Sequence, residues 1–533
     1  MDMLKAPSIS KPPGVVVRKP LLAVMITTPS NCAAAVALLS SLGYKFGMLL
    51  YTPETVYQLD HAAVAMDGFS ELELMQRAGE CLWREVDARW PALSCITVFA
   101  GSGNNGGDAF VVALCARAQG VAVQLLVQGD LARQSATSRH FRELWEQGGG
   151  SVEPWQGQTL RGEVVIDGLL GIGLQRDLDA DWQALVKTIN DHPGARVAID
   201  IPSGLNARCG IPQPLAVQAQ LTVTFIGRKC GQYLADGPDY CGELVFADLG
   251  VSARARASQA PVLEAIESCQ LPAPRKRNSH KNHYGNLLIV GGDQGMSGAV
   301  ALAARAALRA GAGLVTALVH PDCRFSFGAY PEIMVLGWDA LEAKLAQASV
   351  LVVGPGLGGS PAAQACLQLL RTAPQPMVID ASALDADFLL SLTSSQRVIT
   401  PHPGEAAKLL GLGTAEVQAD RLQACARLLE NFGATTVLKG SGSLIAEPGK
   451  TPYAINTRGN PGMASAGMGD VLSGIIGALL GQGLKPYAAA RSAAFIHALC
   501  AEAYSEEQDA SGLIAGDIID LVPRVIGRLR APG

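Results

Sequence analysis

From residue 51 onward, amphipathic helical segments alternate with short apolar runs rich in Val, Ile and Leu, the pattern of βα units wound about a parallel sheet. In the first half the runs at 95–100, 121–127, 163–167, 196–200, 221–226 and 243–247 read as strands, each ending at or close to a Gly or an Asp. The alternation breaks over 271–284, LPAPRKRNSHKNHY, where basic residues, prolines and histidines crowd together with neither helical nor strand period. A second series follows, with strands expected at 286–290, 314–319, 350–353, 377–380, 397–400 and 435–438 and a helix over 298–311. The chain therefore divides into an atypical extension (1–47), a first α/β domain (48–270), a linker and domain entrance (271–285) and a second α/β domain (286–533). In the extension, Arg18 and Lys19 precede an apolar stretch too short for a secretory signal, and organised sequence begins near Met48.

Composition narrows the function classes. Of 533 residues, 49% are hydrophobic and 17% charged, which excludes disorder over most of the chain. The net charge of −5 is spread along the chain, so no basic field exists for nucleic acid. No apolar run reaches the roughly 18 residues of a spanning helix, so no membrane partner is expected. The twelve cysteines never fall as C-x-x-C, which speaks against a zinc site and for a reducing, cytoplasmic compartment.

In the first domain the run GSGNNGGD at 101–108 follows a strand and opens a helix, satisfying G-x-G-x-x-G. Asp108, placed in the first helical turn, would repel the pyrophosphate that such a loop holds in a dinucleotide fold. Two more strands end in Asp: VVID at 164–167, leading into GLLGIGLQRD, and VAID at 197–200, leading into IPSG. Loops after strand C-termini share one crevice in an open α/β sheet, which would gather Asn105, Asp108, Asp167, Asp200 and Ser203. So many oxygen donors without His or Cys suit a hard cation.

In the second domain NPGMASAGMGD at 460–470 precedes a helical run. Gly467 and Gly469 leave backbone N–H groups free to face phosphate, and Asp470 stands where it can take a hydroxyl proton. No G-x-x-x-x-G-K-[ST] loop occurs. KGSGS at 439–443, GPGLG at 354–358 and TPHPGE at 400–405 each follow a strand and belong to the same sheet edge. The bland readings are strand-end turns and helix caps.

The combination of LMQRAG (74–79), GSGNNGGDAF, VIDGLLGIGL and IDIPSG resembles the NAD(P)H-hydrate epimerase domain over nearly all of 48–250. That resemblance implies a Rossmann-like three-layer αβα fold that interconverts the R and S hydrates of NADH and NADPH (NADHX and NADPHX). It implies hydrate binding by Asn104, Asn105, Gly106, Gly107, Asp108, Gly171, Ile172, Gly173, Leu174, Gln175, Arg176, Asp177 and Asp200, and a potassium ion on Asn105, Asp167 and Ser203. Epimerising a carbinol carbon bonded to nitrogen needs proton transfer there, and Asp200 is the expected acid/base.

The second domain, with SHKNHYGNLLIVGG, SGAVALAARAALRAGAG, GPGLG, HPGE and NPGMASAGMGDVLSG, is similar to the nucleotide-dependent NAD(P)H-hydrate dehydratase over about 275–525. The similarity implies a ribokinase-like fold, ADP or ATP as co-substrate with magnesium, and phosphorylation of the 6-hydroxyl followed by phosphate elimination. It places hydrate on Ala299, Gly356, His402 and Asp470, and nucleotide on Lys439, Gly440, Ser441, Gly442, Ser443 and Gly469, with Asp470 as base. Family members tend to be homo-oligomers. Two rivals stand: a ribokinase-like kinase with an accessory domain, and a first domain that only binds.

Overall fold

The computed structural model describes residues 47–531, so the signal-like stretch within 1–46, and Cys32 with it, lies outside the described residues. The strands of the first half are β1 (Leu49–Tyr51), β2 (Cys95–Ala100), β3 (Ala122–Val127), β4 (Glu153–Pro154), β5 (Val164–Gly168), β6 (Ala195–Ile199), β7 (Leu221–Phe225), β8 (Arg228–Lys229), β9 (Glu243–Ala247) and β10 (Leu263–Ala265). Those of the second half are β11 (Asn286–Val290), β12 (Leu314–Val319), β13 (Met334–Gly337), β14 (Val350–Val353), β15 (Met377–Ile379), β16 (Arg397–Ile399), β17 (Thr435–Leu438), β18 (Ser443–Ala446) and β19 (Tyr453–Asn456).

The first sheet runs β4-β3-β2-β5-β6-β7-β9, every pairing parallel. Its central strand β5, VVIDG, is buried at every position, as expected of a parallel strand covered by helices on both faces. Helices cover it where apolar stripes coincide with good caps. In Glu71–Arg89, for example, Ser70 and Glu73 form a reciprocal capping box, and Leu74, Ala78, Leu82 and Val86 turn inward.

The second sheet runs β13-β12-β11-β14-β15-β16-β17 in parallel and continues through an antiparallel β17-β18-β19 meander. It then crosses the expected domain boundary. β10 pairs with β19 (Leu263 opposite Tyr453), β1 with β10, and β8 with β1. Leu50, Leu263 and Ala265 are buried in the same core as Leu438, Leu444 and Ile455. The division at residue 270 thus separates the motifs but not the sheets. Three short strands from the first half extend the second sheet, each too brief to show a period in sequence.

The other expected strands fall within a residue or so of their positions, and the helix expected over 298–311 is Ser297–Arg309. The cysteines of the described residues are free thiols. Among those residues no helix is long and apolar enough to cross a membrane.

Candidate active sites

A cavity of about 630 Å³ opens at the C-terminal edge of the first sheet, between helix Pro53–Asp67 and the loops after β2, β5 and β6. Asn104, Asn105 and Asp108 line it, with Gly171, Ile172, Gly173, Leu174, Gln175 and Arg176 from the β5 loop and Asp200 from the end of β6. Of the residues expected to bind hydrate there, Gly106, Gly107 and Asp177 do not line the wall. Gly106 serves close packing instead, because a Cβ on it would stand 2.0 Å from the Gly101 carbonyl oxygen. The helix Asn104–Ala118 starts at Gly103 without a side-chain cap, so free N–H groups face the cavity mouth. Asp108 stands in the second turn of that helix, not the first, and so is clear of the anion position.

Asp200 carries a positive φ of 64°, a costly conformation for a residue with a Cβ. Its N–H donates to the Val223 carbonyl, and its own carbonyl accepts from Gln232 Nε2 at 2.8 Å. Oδ1 accepts from Thr224 Oγ1, the Phe225 N–H and the ammonium of Lys229, which is fully buried at the end of β8. Oδ2 has no protein partner among the described residues and is left for a ligand. Burial raises the Asp108 carboxyl well above its usual range, and the charges of Asp200 and Asp60 add to the shift.

Behind the cavity Asp167 is completely buried. Its oxygens accept from Ser203 Oγ at 2.6 Å, the Ser203 N–H at 2.8 Å and the Leu169 N–H at 3.3 Å. Burial nevertheless pushes it up to about 6, since no cationic side chain is near enough to offset the loss of water. Asn105 donates its amide to the Leu170 carbonyl, which also faces Ser203 Oγ. Side-chain and backbone oxygens therefore meet beside a carboxylate that lacks a counter-charge, a donor set that fits a monovalent hard cation.

The second site lies on the C-terminal edge of the second sheet. Helix Met468–Gly481 starts at Gly467, at φ 85° and without a side-chain cap. A Cβ on Gly469 would stand 3.2 Å from Lys439 Nζ and 3.7 Å from Asp380 Oδ2, which brings the GMGD and KGSGS loops together. Lys439 Nζ bonds Asp380 Oδ1 at 2.9 Å and lies 3.7 Å from Glu405 Oε2, while Ser473 Oγ donates to Asp380 Oδ2 at 2.7 Å. Burial alone would raise Asp380; the Lys439 charge and the hydrogen bonds from Lys439 and Ser473 outweigh it and hold the carboxyl below its usual range. The Asp470 carboxyl has no hydrogen-bond partner among the described residues. Burial first, then the charges of Asp380 and Glu405, push it up to about 6 against the pull of Lys439.

His402 caps helix Pro403–Leu410. Its Nδ1 accepts from the Gly404 and Glu405 N–H groups, and Glu405 returns a bond to the His402 N–H. The exposed ring presents Nε2 3.5 Å from Glu405 Oε1. Ala299 and Gly356 meet at the far end of the same edge, a Cβ on Gly356 falling 3.2 Å from that of Ala299. In the KGSGS loop the Ser441 carbonyl accepts from the Ala235 N–H of the first half. At Gly442 (φ 66°) a Cβ would fall 2.3 Å from the Tyr233 carbonyl oxygen.

Three residues that the motifs do not mark belong to these sites. Asp60 and Lys229 line the first cavity. Arg421, 1% exposed, lies under the second site and donates to the carbonyls of Leu438, Lys439 and Gly442, fixing the loop backbone from below. None of the three carries a local signal in sequence; Lys229 ends a strand of two residues.

Two family profiles match separate stretches of the chain. The NAD(P)H-hydrate dehydratase family profile matches residues 287–524, and that of the YjeF-related protein N-terminus matches 71–231. The chain is 41% identical over 481 residues to the bifunctional NAD(P)H-hydrate repair enzyme Nnr of Coxiella burnetii, covering 88% of this chain and 98% of that protein. It is 38% identical to the Escherichia coli protein of the same name, covering 89% and 94% respectively. A solved ADP/ATP-dependent NAD(P)H-hydrate dehydratase from Bacillus subtilis, co-crystallised with ATP and Mg2+, is 30% identical, covers 49% of this chain and 95% of its own, and aligns with a TM-score of 0.45.

Proposed function

The chain belongs to the bifunctional NAD(P)H-hydrate repair enzyme family, and we propose that its two sites divide the work as their chemistry differs. The first site epimerises the R and S hydrates of NADH and NADPH; the second dehydrates the S hydrate at the expense of ADP or ATP. The observation that carries this reading is that each site holds a carboxylate with an oxygen free for substrate, Asp200 Oδ2 and Asp470, beside the uncapped start of a helix.

In the first site the free N–H groups at Asn104 and Asn105 receive the pyrophosphate, and the loop from Gly171 to Arg176 covers the nicotinamide ribose. Asp200 exchanges a proton at the C6 hydroxyl. Asn105, Asp167 and Ser203 hold potassium, which supplies the counter-charge that Asp167 lacks. In the second site Asp470 takes the proton of the 6-hydroxyl, whose oxygen attacks the terminal phosphorus of the nucleotide. The nucleotide that has lost its terminal phosphoryl group leaves, and phosphate elimination restores the dihydronicotinamide. Lys439 and the amides of Gly440, Gly442 and Gly469 stabilise the charge on the moving phosphoryl group, with magnesium on the nucleotide. Ala299, Gly356 and His402 border the hydrate. The same reading takes the enzyme as a cytoplasmic homo-oligomer.

Near-ultraviolet absorbance of reduced nicotinamide, followed on mixed R and S hydrates with ADP and then ATP, tests the reading. Recovery of the whole mixture with release of inorganic phosphate is expected. A stable phosphorylated product instead would identify a kinase. Recovery of the S share alone, beyond spontaneous epimerisation, would reduce the first domain to a binding module.

A further inference from the structure

The cavity of the first domain sets three carboxylates, Asp60, Asp108 and Asp200, around a single ammonium, Lys229, and the sequence motifs account for only two of them. Asp60 belongs to helix Pro53–Asp67, N-terminal to every motif. Val56, Leu59 and Ala63 bury one face of that helix, which leaves Asp60 in the cavity wall. Its carboxyl has no hydrogen-bond partner among the described residues. The charged and titratable groups around it are Lys229 and Asp200 from the strand ends, Asp108 from the glycine-rich helix, and Tyr57 and His61 from its own helix. Glu71 and Arg176 lie further round the wall.

Lys229 cannot neutralise all three. Its Nζ is committed to Asp200 Oδ1, Thr224 Oγ1 at 2.9 Å and the Phe225 carbonyl at 3.2 Å. Three carboxylates crowded about one cation in a desolvated site do not ionise together. Burial, partly offset by Lys229, raises Asp60 to about 7, and burial raises Asp108 well above its usual range. Asp60 thus lines the cavity with its carboxyl unbonded among the described residues, and it approaches from a different element than Asp200.

We propose that Asp60 is the second proton-transfer residue of this site, acting on the bound hydrate together with the Lys229-anchored Asp200. The proposal rests on the epimerase reading above. Asp200 takes the proton of the C6 hydroxyl, and the released O–H pair becomes the second bond of a C6 aldehyde. The C6–N1 bond breaks, its electron pair goes to N1, and N1 takes the proton of Asp60. Rotation about C5–C6 turns the other face of the aldehyde to N1. On closure the N1 pair forms the new bond to C6, the N1 proton returns to Asp60 and Asp200 returns its proton to oxygen. The net change is inversion at C6, with no oxidant, reductant or water consumed.

The test is the rate of R-to-S conversion by the full chain without nucleotide, read by chromatographic separation of the two hydrates across a pH series. Asp60→Asn is expected to slow kcat by about a hundredfold at pH 7, with KM within about threefold and the pH limb near 7 abolished. Dehydration of pure S hydrate by the same preparation is expected to be unchanged, which shows that the chain is folded. Should Asp60→Asn lose that activity too, Asp60→Glu decides: it keeps a carboxyl and is expected to retain the limb at a displaced pH. Wild-type kcat and pH profile in Asp60→Asn would overturn the proposal, as would a loss confined to KM. A wild type no faster than the spontaneous reaction would overturn the epimerase reading itself, a result separate from the other two.

Discussion

The two sites solve opposite problems with the same residue types. In the first, a buried lysine is bonded to the reactive carboxylate Asp200, and burial raises its neighbours Asp60 and Asp108. In the second, the lysine is bonded to a different, buried carboxylate, Asp380, and reactive Asp470 is left without a partner and raised to about 6. A reversible ring opening takes a proton from oxygen at one point and gives one to nitrogen at another, work that two carboxyls on different elements can divide. A phosphoryl-transfer base needs freedom to accept a proton, and it needs a lysine whose position is set before nucleotide arrives. Pairing Lys439 with Asp380 sets that position and leaves much of the phosphate binding to glycine amides. The comparison teaches that the partner of the lysine, more than its presence, decides what each carboxylate can do.

The sharpest way to break the comparison is to remove each reactive carboxylate in turn. Asp470→Asn is expected to lower kcat for S-hydrate dehydration by about a thousandfold and leave epimerisation intact; Asp200→Asn should do the reverse on a similar scale. Stopped assays on separated hydrates read both rates in one preparation. The pH dependence follows from the same difference. Asp470 must be ionised to act as base, so dehydration should fall about tenfold per pH unit below about 6 and level off above it. Loss of both activities in either variant would show that the sites are not independent in chemistry.

They are not independent in folding. Leu263, from the first half, is fully buried in the core of the second sheet. Leu263→Ala should cost about 3 kcal/mol, lower the midpoint of thermal unfolding, and reduce both activities along one shared transition. Two separate calorimetric transitions, with the epimerase unaffected, would restore the division at residue 270.

A smaller effect is expected at Arg421. Its Nη2 lies within bonding distance of the Leu438, Lys439 and Gly442 carbonyls while Nη1 donates to Gln418 Oε1, a two-armed planar grip that an ammonium cannot reproduce. Arg421→Lys should raise the KM for nucleotide about tenfold, with the KM for hydrate unchanged, because the loop it supports is the one assigned to phosphate. Equal changes in both constants would mean that Arg421 braces the whole sheet edge rather than the KGSGS loop.

The contrast between the sites also explains what sequence could and could not reveal. Strands such as β14 (VLVV) and the apolar start of β5 (VVI) announce themselves as short apolar runs buried throughout, and the glycine-rich loops follow them at fixed places. Asp60 and Arg421 carry no such mark, because a lone charge on a helix looks the same whether it faces solvent, a cavity or the underside of a loop. Lys229 is hidden for a related reason: β8 spans Arg228–Lys229 alone, and its burial depends on β1, another short strand that pairs across the boundary. Periodicity reports contacts made by long elements; it is silent about residues placed by two or three backbone pairs.

The counter-charge behind the first site is where the two sites part furthest, and potassium probes it. The second site balances its buried carboxylate with Lys439, whereas Asp167 has only hydrogen bonds from Ser203 and Leu169. If a cation supplies the missing charge, it binds the folded chain and not the unfolded one. Potassium tenfold above its dissociation constant would then stabilise the protein by about 1.4 kcal/mol. The midpoint of thermal unfolding should accordingly rise in potassium chloride relative to choline chloride at equal ionic strength. Asp167→Asn, which keeps the shape and removes the charge, should erase the difference and leave S-hydrate dehydration unchanged. Equal midpoints of the wild type in the two salts would mean that the first fold tolerates a buried carboxyl without compensation. The two sites would then differ in how much unbalanced charge their cores accept, and not in the kind of cation that balances it.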